Sequence, residues 1–68
     1  MSKGKVKWFS DLKGYGFITS VDASQDVYVH HTDISVDGYK TLKEGEQVEY
    51  EIAQTPEGLK AKNVVRVG

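Results

Sequence analysis

The chain has 68 residues, nine basic and ten acidic side chains, a formal net charge of −1 and no cysteine. That length has room for one domain, expected to span residues 1–68, and a domain so small buries only about 60% of its unfolded surface. Disulfides and thiolate metal sites are excluded, no apolar run approaches the roughly 18 residues of a membrane span, and the basic start leads into no apolar signal segment, so a cytoplasmic protein is expected. The charge is uneven: residues 1–20 carry Lys3, Lys5, Lys7 and Lys13 against Asp11, a balance of +3, while residues 21–68 carry −4. Bulk charge will not draw this chain to a polyanion, but a local basic patch can.

Residues 3–10 read as a first strand. Strict alternation groups Val6 with Trp8 and sets Phe9 beside Lys5 and Lys7, a mixture that a buried face rarely holds. A bulge or sharp bend between Lys7 and Phe9 resolves the conflict by sending Trp8 outward and Phe9 inward. Without it, Trp8 is a core tryptophan. Ser10-Asp11-Leu12-Lys13-Gly14 then supplies a turn.

The stretch Lys13-Gly14-Tyr15-Gly16-Phe17-Ile18-Thr19 alternates as a second strand. Tyr15, Phe17 and Thr19 take one face; Gly16, Ile18 and Ser20 take the other. Two rings thus lie opposite the aliphatic face, and the glycines leave room for another backbone or a ligand. A polar loop at residues 22–26 leads to a third strand, Val27-Tyr28-Val29-His30, with the valines on one face and Tyr28 and His30 on the other. As neighbours in an antiparallel meander, the two strands combine Tyr15, Phe17, Tyr28 and His30 into one patch of rings above Ile18, Val27 and Val29.

Thr32-Asp33-Ile34 starts a short helical turn with Ile34 as its apolar plug. Residues 35–46 form a longer connection with Gly38 and Gly45. Within it Tyr39, beside Lys40, is either a packed lid or another stacking platform. In the fourth strand Val48, Tyr50 and Ile52 alternate with Gln47, Glu49 and Glu51. Residues 54–58 form a turn. The fifth strand, residues 59–67, puts Leu59, Ala61, Val65 and Val67 on one side and Lys60, Lys62 and Arg66 on the other. Five short strands without a helix of ordinary length imply an all-β barrel, which hides its sheet edges by closing.

Catalysis finds little support. His30 and His31 are adjacent, so on a strand they face opposite ways and cannot grip one metal together. No glycine-rich loop ends in Lys-Ser or Lys-Thr, and nothing in the sequence brings a serine, a histidine and an aspartate together. No enzyme activity, metal or cofactor is expected. Single-strand binding asks for flat rings on which bases stack and a cationic border for phosphates. Lys7 flanks Trp8, Lys13 flanks Tyr15 and Lys40 flanks Tyr39, with the aliphatic residues segregated to the opposite faces.

These residues also carry a resemblance. Lys13-Gly14-Tyr15-Gly16-Phe17-Ile18 matches the first ribonucleoprotein motif, and Val27-Tyr28-Val29-His30 resembles the second. RNA-recognition-motif domains have the two in the reverse order, with helices behind the sheet. Together with Gly4-Lys5-Val6-Lys7-Trp8-Phe9, the chain closely resembles the bacterial cold-shock proteins over nearly its whole length. The resemblance implies a five-stranded antiparallel OB-fold barrel that binds single-stranded RNA and DNA, with Trp8 facing outward. Carried over position by position, it implies a surface of Lys7, Trp8, Lys13, Tyr15, Phe17, Tyr28, His30 and Tyr39, with Asp26 accepting hydrogen bonds from bases.

The sequence departs from the family's pattern at four positions. Ser10 stands for a frequent asparagine, His31 for a phenylalanine, Glu57 for an arginine and Leu59 for a proline. His31 joins the expected surface as a ring that also gains positive charge in mild acid. Lys60 and Lys62 are expected to supply the positive charge at the last turn, and Glu57 is not carried over as a binding residue. The function implied is an ATP-independent nucleic-acid chaperone acting as a monomer on pyrimidine-rich single strands, with no membrane partner and no small-molecule substrate. Exposed aromatics also mark protein interfaces, so a protein-interaction barrel is the rival reading.

Overall fold

The computed structural model describes residues 1–21, 25–35 and 41–67. Its strands are β1 (Ser2–Ser10), β2 (Tyr15–Ser20), β3 (Val27–His30), β4 (Gln47–Thr55) and β5 (Gly58–Arg66), with a 3-10 turn at His31–Asp33. They close into a barrel in the order β1-β2-β3-β5-β4. The β1–β2–β3 meander is as the sequence implies. Strand direction alternates along the chain, and an odd number of such strands cannot close with every neighbour antiparallel. The exception falls between β3 and β5, which run parallel through Tyr28 and Lys60.

β1 belongs to both sides of the barrel. Its first half pairs with β4, from Ser2 opposite Tyr50 to Lys5 opposite Gln47; its second half pairs only with β2. The register with β2 slips between Val6 and Trp8, so Lys7 is the extra residue of a bulge. The slip resolves the conflict read from the sequence. Val6 is 2% exposed, Trp8 is 39% exposed, and Phe9 turns inward to pack on the core. Two glycines make the close approaches possible. A Cβ on Gly16 would overlap the Trp8 carbonyl and come within 2.7 Å of Phe9 Cα; one on Gly4 would lie 2.6 Å from the Thr19 carbonyl and 2.7 Å from Ile18 Cγ2.

The core is Val6, Ile18, Val27, Val29, Ile34, Leu42, Val48, Tyr50, Ala61 and Val64, with Phe9 and Leu59 packed against it. Ile34 plugs the barrel behind the 3-10 turn, as expected, and forms an isolated bridge to Val64. Tyr50 is the largest buried side chain, and its hydroxyl has no hydrogen-bond partner among the described residues.

Three expectations are corrected. On β5 the inward phase does not pass from Ala61 to Val65 and Val67. Between Glu49 and Glu51 the register gains one residue on β5; Asn63 takes φ 53°, and its amide donates to the Glu51 carboxylate at 2.5 Å. Asparagine tolerates that left-handed conformation. The slip buries Val64 completely and leaves Val65 half-buried. On β4, Ile52 keeps its inward register opposite Ala61 but is 37% exposed. It lies past Tyr50, the last β4 residue paired with β1, so no third strand covers it. The turn read at residues 54–58 is tighter than expected: Thr55 pairs directly with Gly58, leaving Pro56 and Glu57 as the two loop residues.

Candidate nucleic-acid interface

The bulge at Lys7 brings Trp8 to the same outer face as the rings of β2 and β3. Cross-strand partners share a face, and the register strings four of them across the sheet: Trp8 opposite Phe17, Phe17 opposite Tyr28, and Tyr28 opposite Lys60. A second row sets Ser10 opposite Tyr15 and Tyr15 opposite His30. The rings touch within and between rows. Trp8 lies 5.5 Å from Phe17 and 5.8 Å from Tyr15, centroid to centroid. Tyr28 lies 5.9 Å from Tyr15 and 5.7 Å from Phe17. The contacts are tilted or edge-on, which is the favoured geometry for aromatic pairs. Beneath them, Ile18, Val27 and Val29 are fully buried.

The adjacent histidines correct a fourth expectation. They do not face opposite ways, because β3 ends at His30 and the 3-10 turn begins at His31. Their ring centroids lie 4.4 Å apart. His30 Nδ1 bonds the Thr32 hydroxyl at 3.0 Å, which fixes its ring. The His31 N–H donates to the Gly14 carbonyl at 2.9 Å, and the His31 ring lies over Gly14. The patch of Tyr15 and His30 therefore continues through His31. Thr32 was missed as a positioning residue. Its signal is a hydroxyl two places after a histidine at a strand's end, the spacing of a local side-chain turn.

The cations fall into four situations. Lys7 Nζ meets Asp26 Oδ2 at 2.9 Å, an ion pair between two residues expected separately at the surface. Such an exposed pair contributes about 0–1 kcal/mol, so Lys7 can exchange its carboxylate for a phosphate at little expense. Lys13 has no ion pair among the described residues. Its loop is held by Ser10, whose hydroxyl accepts the Lys13 N–H at 3.1 Å and whose carbonyl accepts the Gly14 N–H at 2.7 Å. Serine thereby satisfies the turn where asparagine is frequent. Lys60 ends the ring row, with Nζ 3.7 Å from Asp33 Oδ2, a charge contact too long for a hydrogen bond. Lys62 stands two residues further along β5, opposite Glu51. Tyr39 lies outside the described residues. Among those described, no group of three or more His, Asp or Glu side chains could hold a metal ion, and no helix is long and apolar enough to cross a membrane.

Comparison with known proteins bears on this surface. The family model described as the 'Cold-shock' DNA-binding domain matches residues 2–67. The "Cold shock-like protein CspA" of Stigmatella aurantiaca is 52% identical over 64 residues, 94% of each chain. The "Cold shock-like protein CspE" of Escherichia coli K12 is 52% identical over 63 residues, 93% of this chain and 91% of that one. Among solved structures, "drosophila Unr CSD456" superposes with a TM-score of 0.81 at 19% identity. That likeness covers 98% of this chain but 26% of the longer one, and speaks for the fold alone. Identity at this level, sustained from one end of the barrel to the other, makes the chain a member of the cold-shock domain family of nucleic-acid-binding proteins.

Proposed function

We propose that the chain is a single cold-shock domain, residues 1–68, that binds single-stranded RNA and DNA by stacking bases on Trp8, Tyr15, Phe17, Tyr28, His30, His31 and Tyr39. The observation that carries the reading is the two-sidedness of β1–β3. The described rings share the outer face in register, and the aliphatic residues beneath them are fully buried. Each stacked base contributes about 1–3 kcal/mol, largely independent of its identity. Lys7, Lys13, Lys60 and Lys62 border the strand as phosphate partners, and Asp26 accepts from base edges. The barrel holds the rings in place beforehand, so little ordering cost remains on binding.

No nucleotide hydrolysis drives the process in this reading. The protein acts as an RNA chaperone in the cytoplasm by mass action: a monomer captures the open form of a hairpin and shifts it by RT ln(1 + [L]/Kd). Pyrimidine-rich strands are favoured because they stack weakly on themselves and flex readily. The test is titration of Trp8 fluorescence with oligothymidine against a duplex of equal length. Quenching by the single strand alone is the expected result. No response to either would refute base stacking at Trp8 and favour a protein partner.

A further inference from the structure

Past the last ring of the row lies a groove of about 390 Å³, between β3 and the β4–β5 hairpin, lined by Tyr28, Thr55, Glu57, Gly58, Leu59 and Lys60. Its volume falls within the range of ligand clefts, about 300–1,000 Å³. The lining is that of a base site. Tyr28 supplies a flat wall and Leu59 an apolar one. Lys60, the register partner of Tyr28, stands beside them as a cation. The turn is held by the Thr55 hydroxyl, which donates to the Gly58 carbonyl at 2.8 Å. On this braced hairpin sits Glu57, whose carboxylate has no hydrogen bond or ion pair among the described residues.

An unpaired carboxylate selects among bases by simple rules, because it only accepts hydrogen bonds. Guanine offers it two adjacent donors on the Watson–Crick edge, N1–H and the N2 amino group, spaced to match the two carboxylate oxygens. Thymine and uracil offer one N–H between two carbonyl oxygens that repel it. Cytosine and adenine set an amino group beside an unprotonated ring nitrogen, so one half of the contact attracts and the other repels. Bases displayed on single strands are read along these edges.

We propose that the groove is a guanine-selective subsite in which Tyr28 stacks the base, Glu57 accepts from its N1–H and N2 amino group, and Lys60 meets the adjoining phosphate. This rests on the single-strand reading above and adds to it a sequence preference. The favoured ligand is a pyrimidine-rich strand carrying one guanine at a fixed position.

The experiment is fluorescence anisotropy with labelled heptathymidine and a set of heptamers in which one guanine is moved through every position. At one position guanine should tighten binding by roughly 5- to 100-fold, the range of a two-bond base contact. Hypoxanthine at that position, which lacks the N2 amino group, should lose most of the gain. In Glu57→Gln and Glu57→Ala the ratio of guanine to thymine affinity should collapse to near unity. A flat scan with heptathymidine still bound would overturn the guanine site and leave the single-strand reading standing, as would a guanine preference that survives both Glu57 substitutions. Failure of every single strand to bind would overturn both.

Discussion

Phe17→Ala and Phe9→Ala remove the same ring from opposite sides of one sheet, and their effects should separate cleanly. Phe17 sits in the middle of the outer row, 5.5 Å from Trp8 and 5.7 Å from Tyr28. Its loss deletes one stacking platform, about 1–3 kcal/mol, so Kd for oligothymidine should rise roughly 5- to 150-fold. The fold loses two ring contacts, each about 0.5–1.5 kcal/mol, from a half-buried position; a net destabilisation of about 1–2 kcal/mol follows. Phe9 packs inward, where Gly16 leaves it room. Truncating a core phenylalanine costs about 3–5 kcal/mol, and the partial burial of Phe9 places it near the low end. At about 0.05–0.15 kcal/mol per residue, a chain of this size has roughly 3–10 kcal/mol in total. Phe9→Ala should therefore lose between about a third and nearly all of the fold's stability, while Phe17→Ala stays folded and binds poorly. Anisotropy titrations and urea unfolding on both variants give the two numbers needed. If Phe17→Ala kept its affinity within twofold of the parent, or lost as much stability as Phe9→Ala, the assignment of the two faces would be wrong.

Four further outcomes are expected. Binding should weaken only gently with salt: with about four phosphates neutralised, log K should fall with log salt at a slope near −3, whereas 6–10 contacts would give a far steeper line and refute ring-dominated binding. Asn63→Gly should retain most of the stability and Asn63→Ala should lose about 1–2 kcal/mol, because alanine resists φ 53°; equal losses on thermal unfolding would point to the Glu51 hydrogen bond instead. Tyr50→Phe should be neutral or stabilising by up to about 1–3 kcal/mol, since a buried hydroxyl without a partner is a net cost; a clear drop in Tm would contradict this. His31→Ala should weaken oligothymidine binding roughly 5- to 150-fold, the loss of one stacking ring; unchanged affinity in the variant would exonerate His31.

Local conflict and local alternation were readable from the sequence; coincidences of distant segments were not. The Lys7-Trp8-Phe9 run was inconsistent with a regular strand, and the inconsistency itself announced the bulge. Alternation in β2 and β3 separated rings from aliphatics because both strands are short and pair with each other without a slip. β5 misled because Asn63-Val64-Val65-Arg66-Val67 supports either phase; only the slip opposite β4 decides it. The histidine pair misled because extending the strand one residue too far reverses one ring. Leu42 lies outside every strand, in a segment with no period to mark it as core. The ion pair between Lys7 and Asp26 joins residues 19 apart, and each read alone as a ligand contact. Glu57 read as a departure from a pattern, and its meaning came from the groove beside it.

The parallel seam between β3 and β5 has a consequence for how the protein comes into being. Tyr28 and Lys60 are 32 positions apart, and pairings so distant along the chain form late in folding. The early meander of β1, β2 and β3 would present its rings but leave Ile18, Val27 and Val29 open to water on the other side. Such a ribbon is marginal alone, since a sheet needs a covered apolar face to persist. Docking of the β4–β5 hairpin supplies that cover, through Val48, Tyr50, Ala61 and Val64, and delivers Lys60 to the end of the ring row in the same step. Assembly of the hydrophobic interior and completion of the outer surface are thus one cooperative event, and a chain caught midway has neither.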